Sequence, residues 1–311
     1  MKIFIAGATG AIGRPLIGQL ITAGYHVVGM TRSSQRAHFL AEQGVIPEII
    51  DVFDAAAVHA VLNRIKPDVV IDQLTALPRT YTCKSMSASA SLNDRTRQEG
   101  GANLLAAAQA VGVQRYIIQS CAFWYAPGSG LATEATPFAF NSSPAIAAGT
   151  RMYANLEQRV LSARGLEGIA LRYGFFYGPG TWYAVNGDMA QQVCQQQFPI
   201  VGDGRGVWSW VHIEDAAAAT VAAVEQGASG VYNIVDDNPA QMDVWLPAYA
   251  RWLEAKPPFR VSLEETLQTQ DADAVYYATL LRGASNVKAK CELGFEPRSL
   301  EWLVDSVFDV F

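Results

Sequence analysis

Short apolar runs alternate with segments of helical period through the first half of the chain. Residues 2–6, 25–30, 46–51, 69–74 and 115–119 read as strands. Between them, residues 15–21, 33–43, 54–65 and the Ala/Leu-rich 93–111 read as helices, with Ser33 and Asp54 as N-caps. A further helix over 149–164 leads to a strand at 168–172. This βαβ rhythm with short connections predicts an α/β protein built on a doubly wound parallel sheet covered by helices on both faces. After Arg172 the rhythm breaks, and glycine, proline and aromatic residues dominate 173–210. A helix over 213–225 and a strand over 230–235 read as a return to the sheet, and 241–311 as mostly helical.

The first strand runs straight into Gly7-Ala8-Thr9-Gly10-Ala11-Ile12-Gly13, ahead of an apolar helix. Glycines at i, i+3 and i+6 let the backbone turn tightly and let a diphosphate approach with no Cβ in the way. The last of them lets the following helix pack close to the sheet. That helix directs free N–H groups and the positive end of its dipole at the anion. A glycine ladder alone is a weak signal, but between an apolar strand and a helix it marks a Rossmann-type dinucleotide site. Gly7, Thr9, Gly10, Ala11, Ile12 and Gly13 are the residues expected at the cofactor. The expected organisation is a dinucleotide-binding domain over 1–172, with 207–236 returning to it. A smaller, mostly helical substrate lobe over 173–311 closes over the carboxyl ends of the strands, where open α/β sheets bind ligands.

The second strand ends Gly29-Met30-Thr31-Arg32-Ser33-Ser34, with no acidic residue to bind a ribose 2′-hydroxyl. Arg32 and Ser33 are placed to hold a 2′-phosphate instead, with Arg14 on the other side. NADP is therefore expected ahead of NAD. Arg32 as a plain solvated loop residue is the competing reading.

Composition narrows the class. Half of the 311 residues are apolar and the formal net charge is −6, which describes a globular chain burying about three quarters of its unfolded surface. No basic run is present, which argues against nucleic acid as a partner. No apolar stretch approaches the roughly 20 residues needed to cross a bilayer, and no cleavable apolar segment precedes the first strand. A cytoplasmic protein with no membrane partner is expected. Cys83, Cys121, Cys194 and Cys291 show no paired spacing, so free thiols and no metal site are expected.

With these residues in view, the chain resembles the short-chain dehydrogenase/reductase superfamily, in its extended and atypical branches with epimerases and dehydratases. The resemblance runs nearly end to end. It rests on the glycine ladder, Asp51 closing the third strand, and Pro67-Asp68-Val-Val-Ile-Asp72. Glu99-Gly100-Gly-Ala-Asn103-Leu-Leu105 and Leu171-Arg172-Tyr-Gly-Phe-Phe-Tyr177-Gly-Pro179-Gly180 extend it, as does Val211-His212-Ile-Glu-Asp215-Ala. It implies that Asp51 contacts the adenine through the following backbone, and that Leu74 and Tyr173 also lie at the cofactor. It further implies a possible homodimer through helices 93–111 and 149–164, with Leu104, Leu105, Ala108, Val111, Leu156 and Val160 as an apolar face. Burial within one chain explains the same residues.

Catalysis in the family uses a tyrosine as proton donor and a lysine one helical turn later, whose charge lowers the phenol's pKa. Here the helix reads Arg151-Met152-Tyr153-Ala154-Asn155-Leu156-Glu157, and no lysine occurs between Lys84 and Lys256. Either Tyr153 is the tyrosine with Glu157 at i+4, or Glu157 is the acid that follows the family lysine by four residues. In the second register Tyr153 takes the lysine slot and Gly149 the tyrosine slot. Tyr153 remains the best acid, since a neutral phenol can donate without a lysine. Ser120 is the expected orienting hydroxyl at the end of the fifth strand, with Cys121 the alternative position. Arg97 replaces the structural asparagine of the long helix, and Asp72 stands where extended members often carry histidine.

Aromatic residues crowd the segments after the fifth and sixth strands, which suggests an apolar or ring-containing small-molecule substrate, although more than half of them are expected to be packing. His212 reads as structural. The leading expectation is an NADP(H)-dependent oxidoreductase or epimerase/dehydratase-like enzyme. The competing one is a cofactor-binding sensor without catalysis, motivated by the missing lysine.

Overall fold

The computed structural model describes residues 1–268 and 272–303, so 269–271 and 304–311 of the expected substrate lobe lie outside the described residues. Along the chain run β1 (Lys2–Ala6), α1 (Gly13–Thr22), β2 (His26–Thr31), α2 (Ser34–Glu42), β3 (Ile46–Ile49), α3 (Ala55–Ile65) and β4 (Val69–Asp72). They are followed by α4 (Cys83–Arg95), α5 (Gly101–Ala110), β5 (Arg115–Cys121), α6 (Pro144–Leu161) and β6 (Glu167–Tyr173). Then come the short β7 (Phe175–Tyr177), α7 (Asp188–Cys194), β8 (Ile200–Val201), β9 (Val207–Trp208) and β10 (Trp210–His212), before α8 (Ile213–Glu225) and β11 (Gly230–Ile234). The last part holds β12 (Ala240–Gln241), α9 (Met242–Trp252), β13 (Arg260–Val261), α10 (Leu263–Gln268), α11 (Ala272–Val275) and α12 (Val287–Leu293).

Seven strands form one parallel sheet in the order β11-β6-β5-β4-β1-β2-β3. The doubly wound α/β expectation holds. The winding reverses beside β1, so the crevice between β1 and β4 opens at their carboxyl ends, where such sheets bind ligands. Alternation along the strands divides the interior into two layers. Ile3 and Ile5 face Leu16, Leu20 and Ala216, whereas Phe4 and Ala6 face Val58, Leu104 and Tyr116. A third core, built from Trp208, Trp210, Trp245, Tyr249 and Trp302, fills the region beyond the sheet. Most of the aromatic residues flagged after the sixth strand are this packing. Three two-stranded pairs, β10 with β7, β12 with β9 and β13 with β8, join the helices there. Helix α12 and Phe295 return to the sheet and pack in the layer of Ile3.

Two helices differ from the expectation. The helix expected over 93–111 begins at Cys83 and passes through a π turn, Thr96–Gly100, before α5. Thr82 and Ser85 start it with reciprocal side-chain-to-backbone bonds, each 3.1 Å. The Ser/Ala-rich first half carries no apolar period, so no pattern announces it. Helix α6 begins at Pro144, five residues before the expected start, because proline is tolerated in a first helical turn. The residues expected to face a second copy of the chain are largely interior: Leu104, Leu105, Ala108, Leu156 and Val160 are all buried in one molecule.

Helix α6 is tied to the sheet by a buried ion pair. Arg172 on β6 donates from Nε to Glu157 Oε1 at 2.7 Å and from Nη2 to Glu157 Oε2 at 2.6 Å. Ser120 on β5 donates to the same carboxylate at 2.6 Å, and Arg172 Nη1 reaches the Tyr125 hydroxyl at 2.9 Å. That hydroxyl donates in turn to the side chain of Asn233 on β11. Removing one partner would leave the other charge buried and unpaired. Glu157→Ala is therefore expected to lower stability by about 3–5 kcal/mol, measured by denaturant unfolding; a loss under about 1 kcal/mol, the value of an exposed pair, would contradict this role.

Candidate active site

The glycine loop has the backbone that its spacing implies. Gly7 has φ +87°, and a Cβ there would lie 2.5 Å from the carbonyl oxygen of Gln73. A Cβ on Gly13 would overlap the carbonyl oxygens of Gly7 and Ala8, so that glycine is needed for α1 to meet the sheet. Gly10 and Ala11 are exposed at the mouth, Thr9 is half-buried and Ile12 packs inward. Ile12 is the N-cap of α1 and supplies no side-chain cap, which leaves N–H groups for an anion. These features fit the diphosphate of a dinucleotide.

The other expected cofactor residues line the same edge, with one exception. Arg32 is exposed and has no ion pair among the described residues, and Ser33 caps α2 by accepting from the Arg36 N–H at 3.4 Å. Arg14 reaches the Thr9 carbonyl at 3.4 Å and lies over Phe39 at 5.6 Å. Asp51 is exposed after β3 and accepts from the Phe53 N–H at 3.1 Å, while Leu74 donates its N–H to Asp72 at 3.0 Å. Tyr173 is the exception. Its phenol is buried, pairs with Thr220 at 2.7 Å and accepts from Gln73 at 3.1 Å. Its side chain is a core element, and only its backbone faces the strand ends.

The expected catalytic pair is not assembled as a pair. Ser120 is buried with its hydroxyl committed to Glu157, so it serves the ion pair and is not a free orienting group. Tyr153 is buried near Cys121, with the Trp124 ring edge-on at 5.7 Å and the Arg97 guanidinium 4.9 Å from its ring centre. Burial pushes its phenol up to about 12, against the pull of Arg97; Glu157, one turn on, adds only a minor push in the same direction. Burial likewise holds the Cys121 thiol up at about 12, so it is no nucleophile. His212 caps α8 by accepting from the Glu214 N–H at 3.2 Å, and it is structural.

Two features of the site were only half visible in the sequence. A Cβ on Gly149 would overlap the six-membered ring of Trp124, with Cη2 at 2.6 Å. The indole thus fills the space into which a side chain at 149 would project, and its Nε1 is anchored to the Tyr277 hydroxyl at 2.9 Å. Arg97, noted in the sequence only as a replaced asparagine, supplies the positive charge beside Tyr153 from a different helix. Around them Phe123 stacks on Phe175 at 4.6 Å, Phe175 on Trp208 at 4.2 Å, and Tyr81 meets Trp182 at 4.7 Å. The result is a packed aromatic cluster beyond the end of β5, with the Arg97 cation and the buried Tyr153 phenol at its edge and no lysine in it among the described residues.

If Trp124 and Gly149 are matched in this way, Gly149→Ala forces the indole to move. The single variant is expected to lose about 1–3 kcal/mol through overpacking, and Trp124→Ala in the same chain to recover part of that loss. Additive losses in the double-mutant cycle would show that the two positions are independent.

The comparisons agree with this fold and give the family. The profile of the NAD dependent epimerase/dehydratase family matches residues 3–235. The chain is 39% identical over 306 residues to a 3-diazoavenalumate denitrifying reductase from Streptomyces sp, covering 97% of this chain and 98% of that protein. It is 27% identical over 239 residues to a 2-alkyl-3-oxoalkanoate reductase from Stenotrophomonas maltophilia, covering 74% and 67% of the two chains. Among solved structures, a dTDP-glucose 4,6-dehydratase from Streptomyces venezuelae with NAD superposes with TM-score 0.74 at 20% identity, over 98% and 97% of the two chains. A UDP-glucose 4-epimerase from Thermus thermophilus with NAD gives 0.73 at 21%, over 97% and 96%; these two bear on the fold. The chain belongs to the NAD-dependent epimerase/dehydratase family and is an NAD(P)-dependent enzyme of the oxidoreductase and epimerase type.

Proposed function

We propose that this protein is an NADPH-dependent reductase that removes dinitrogen from a diazo-bearing aromatic carboxylate. The observation that carries the reading is the remade proton-transfer site. Reduction of a ketone needs a proton delivered to the developing alkoxide, and the family's Tyr and Lys serve that need. Here the lysine is absent, the Trp124 indole fills the space beside Gly149, and burial holds the Tyr153 phenol up at about 12. Reductive loss of dinitrogen has no such need. A reduced nicotinamide cofactor held at Gly7–Gly13 would supply the hydride for the new C–H bond, with the electron pair of the broken C–N bond leaving with N2. The protein's part is to hold the ring, exclude water and orient the carbon. The aromatic walls suit that task, and the name of the 39% identical relative points to the same chemistry. Tyr153 donates a hydrogen bond to a substrate oxygen and keeps its proton throughout.

NADPH is favoured over NADH by the end of β2. No acid follows Thr31 before α2, Arg32 is exposed and without an ion pair among the described residues, and Arg14 in the first turn of α1 lies over Phe39 of α2. Arg32→Ala is expected to weaken NADPH binding about tenfold, the lower range for a hydrogen bond to a charged group, with NADH affinity unchanged in the same calorimetric titration. Equal losses for both cofactors would remove the 2′-phosphate assignment.

The reaction is tested with NADPH deuterated at the transferring position and an ortho-hydroxyaryl diazonium carboxylate. One deuterium on the ring carbon that bore nitrogen, with N2 released in equal amount, is the expected outcome. NADPH oxidation by simple ketones with no diazo turnover would overturn the reading. Tyr153→Phe is expected to lower kcat/KM about tenfold, the value of one hydrogen bond. A loss of about 10²–10⁴-fold would instead make Tyr153 a proton donor.

A further inference from the structure

Arg97 is 4% exposed, its Nε is buried without an acceptor, and no hydrogen bond or ion pair forms at its guanidinium among the described residues. A guanidinium is always charged and carries five donors, and a buried charge without a partner is costly. The nearby acids do not meet it. Asp72 accepts from the Leu74 N–H and the Tyr116 hydroxyl, both at 3.0 Å, and burial raises its pKa despite the charges of Arg97 and Arg159. Asp94 feels Arg97 but forms no ion pair with it among the described residues, and burial raises its pKa too.

The backbone that carries Arg97 is built to place it. It lies in the π turn Thr96–Gly100, where one extra residue loosens the ladder between α4 and α5. The turn is held from outside, since Arg159 on α6 donates to the carbonyls of Gln98 and Arg97 at 2.9 and 3.2 Å. The guanidinium therefore sits, by construction, against the Tyr153 ring at the edge of the aromatic cluster.

We propose that Arg97 is the specificity-determining residue of the pocket and receives the carboxylate of the substrate in a two-pronged, charge-assisted pair. The proposal rests on the reductase reading only in taking this edge of the cluster as the substrate site. A carboxylate satisfies both terminal nitrogens in one plane and cancels the buried charge, which a neutral carbonyl does not. A planar acid stacked among the aromatic rings brings both features together.

The test uses calorimetry on the full chain saturated with NADP+, with unreactive 4-hydroxycinnamate and its carboxamide as probes. The wild type is expected to bind the carboxylate at least about tenfold more tightly than the amide, as a charge-assisted pair implies. Arg97→Met should reduce the carboxylate to the amide's affinity. Because it removes an unpaired buried charge, it should also raise the melting temperature of the unliganded protein by a few degrees. Arg97→Lys should keep part of the preference. Equal or undetectable binding of the two probes by the wild type overturns the assignment, as does a preference that survives in Arg97→Met. A lowered melting temperature in Arg97→Met also overturns it, since that would reveal a structural role. A carboxylate preference without diazo turnover would sink the reductase reading and leave Arg97 in place; turnover without the preference would do the reverse.

Discussion

The paired hydrogen bonds between Glu157 and Arg172 set the geometry on which the site depends. They fasten α6 across the carboxyl ends of β5 and β6, with Ser120, Tyr125 and Asn233 closing the network on neighbouring strands. Glu157 lies one helical turn beyond Tyr153 and two beyond Gly149, so the ion pair fixes both the height and the rotation of the face they share. The same helix sends Arg159 to the π turn that carries Arg97. Tyr153, Gly149 and, through Arg159, the turn that carries Arg97 are thus referred to one helix, and that helix to one buried pair. A hydrophobic pair of equal volume would hold α6 as firmly, but it would not dictate rotation through directed bonds.

The electrostatics of the site follow from what this helix no longer carries. With a lysine beside it, a buried phenol is drawn down toward working pH; without one, burial prevails and Tyr153 rises to about 12. Arg97 pulls in the lysine's direction but stacks over the ring, and among the described residues it forms no hydrogen bond with the hydroxyl. A cation in that position stabilises anionic ligands beside it more than it promotes proton transfer. The protonation state of Tyr153 underlies the proposed reaction, in which a hydride moves and no proton follows it within the same step.

The sheet and the cofactor edge were legible because their signals are local. The glycine spacing, the Ser33 and Asp54 caps and the apolar strands each act within a few residues, and the structure places them as read. Ser120, Tyr173 and Trp124 were not legible, because their roles are decided by partners far away in sequence. Ser120 finds Glu157 thirty-seven residues on, and Tyr173 finds Gln73 a hundred residues back. The early start of α4 escaped notice for another reason: its Ser/Ala face has no apolar period to announce it. Arg97 left a trace, as a charge in place of an asparagine, but a sequence carries no sign that a guanidinium will be buried against a ring with no hydrogen-bond acceptor among the described residues.

The missing lysine invites the view that the chain has lost its activity, and the packing argues otherwise. Simple loss of a tyrosine and a lysine from a buried wall leaves a cavity, which destabilises the fold in proportion to its volume. Here the space beside Gly149 is filled by an indole in close contact, with its N–H satisfied by Tyr277. A glycine at that point of a helix is itself disfavoured by up to about 1 kcal/mol relative to alanine, and here it leaves the room that the ring occupies. The compensating parts come from three separate segments: Trp124 after β5, Gly149 on α6 and Tyr277 in the π turn Tyr276–Leu280. Drift relaxes constraints one position at a time, whereas this arrangement requires the three to agree. Trp124, Gly149 and Tyr277 thus form one packed wall beside Tyr153.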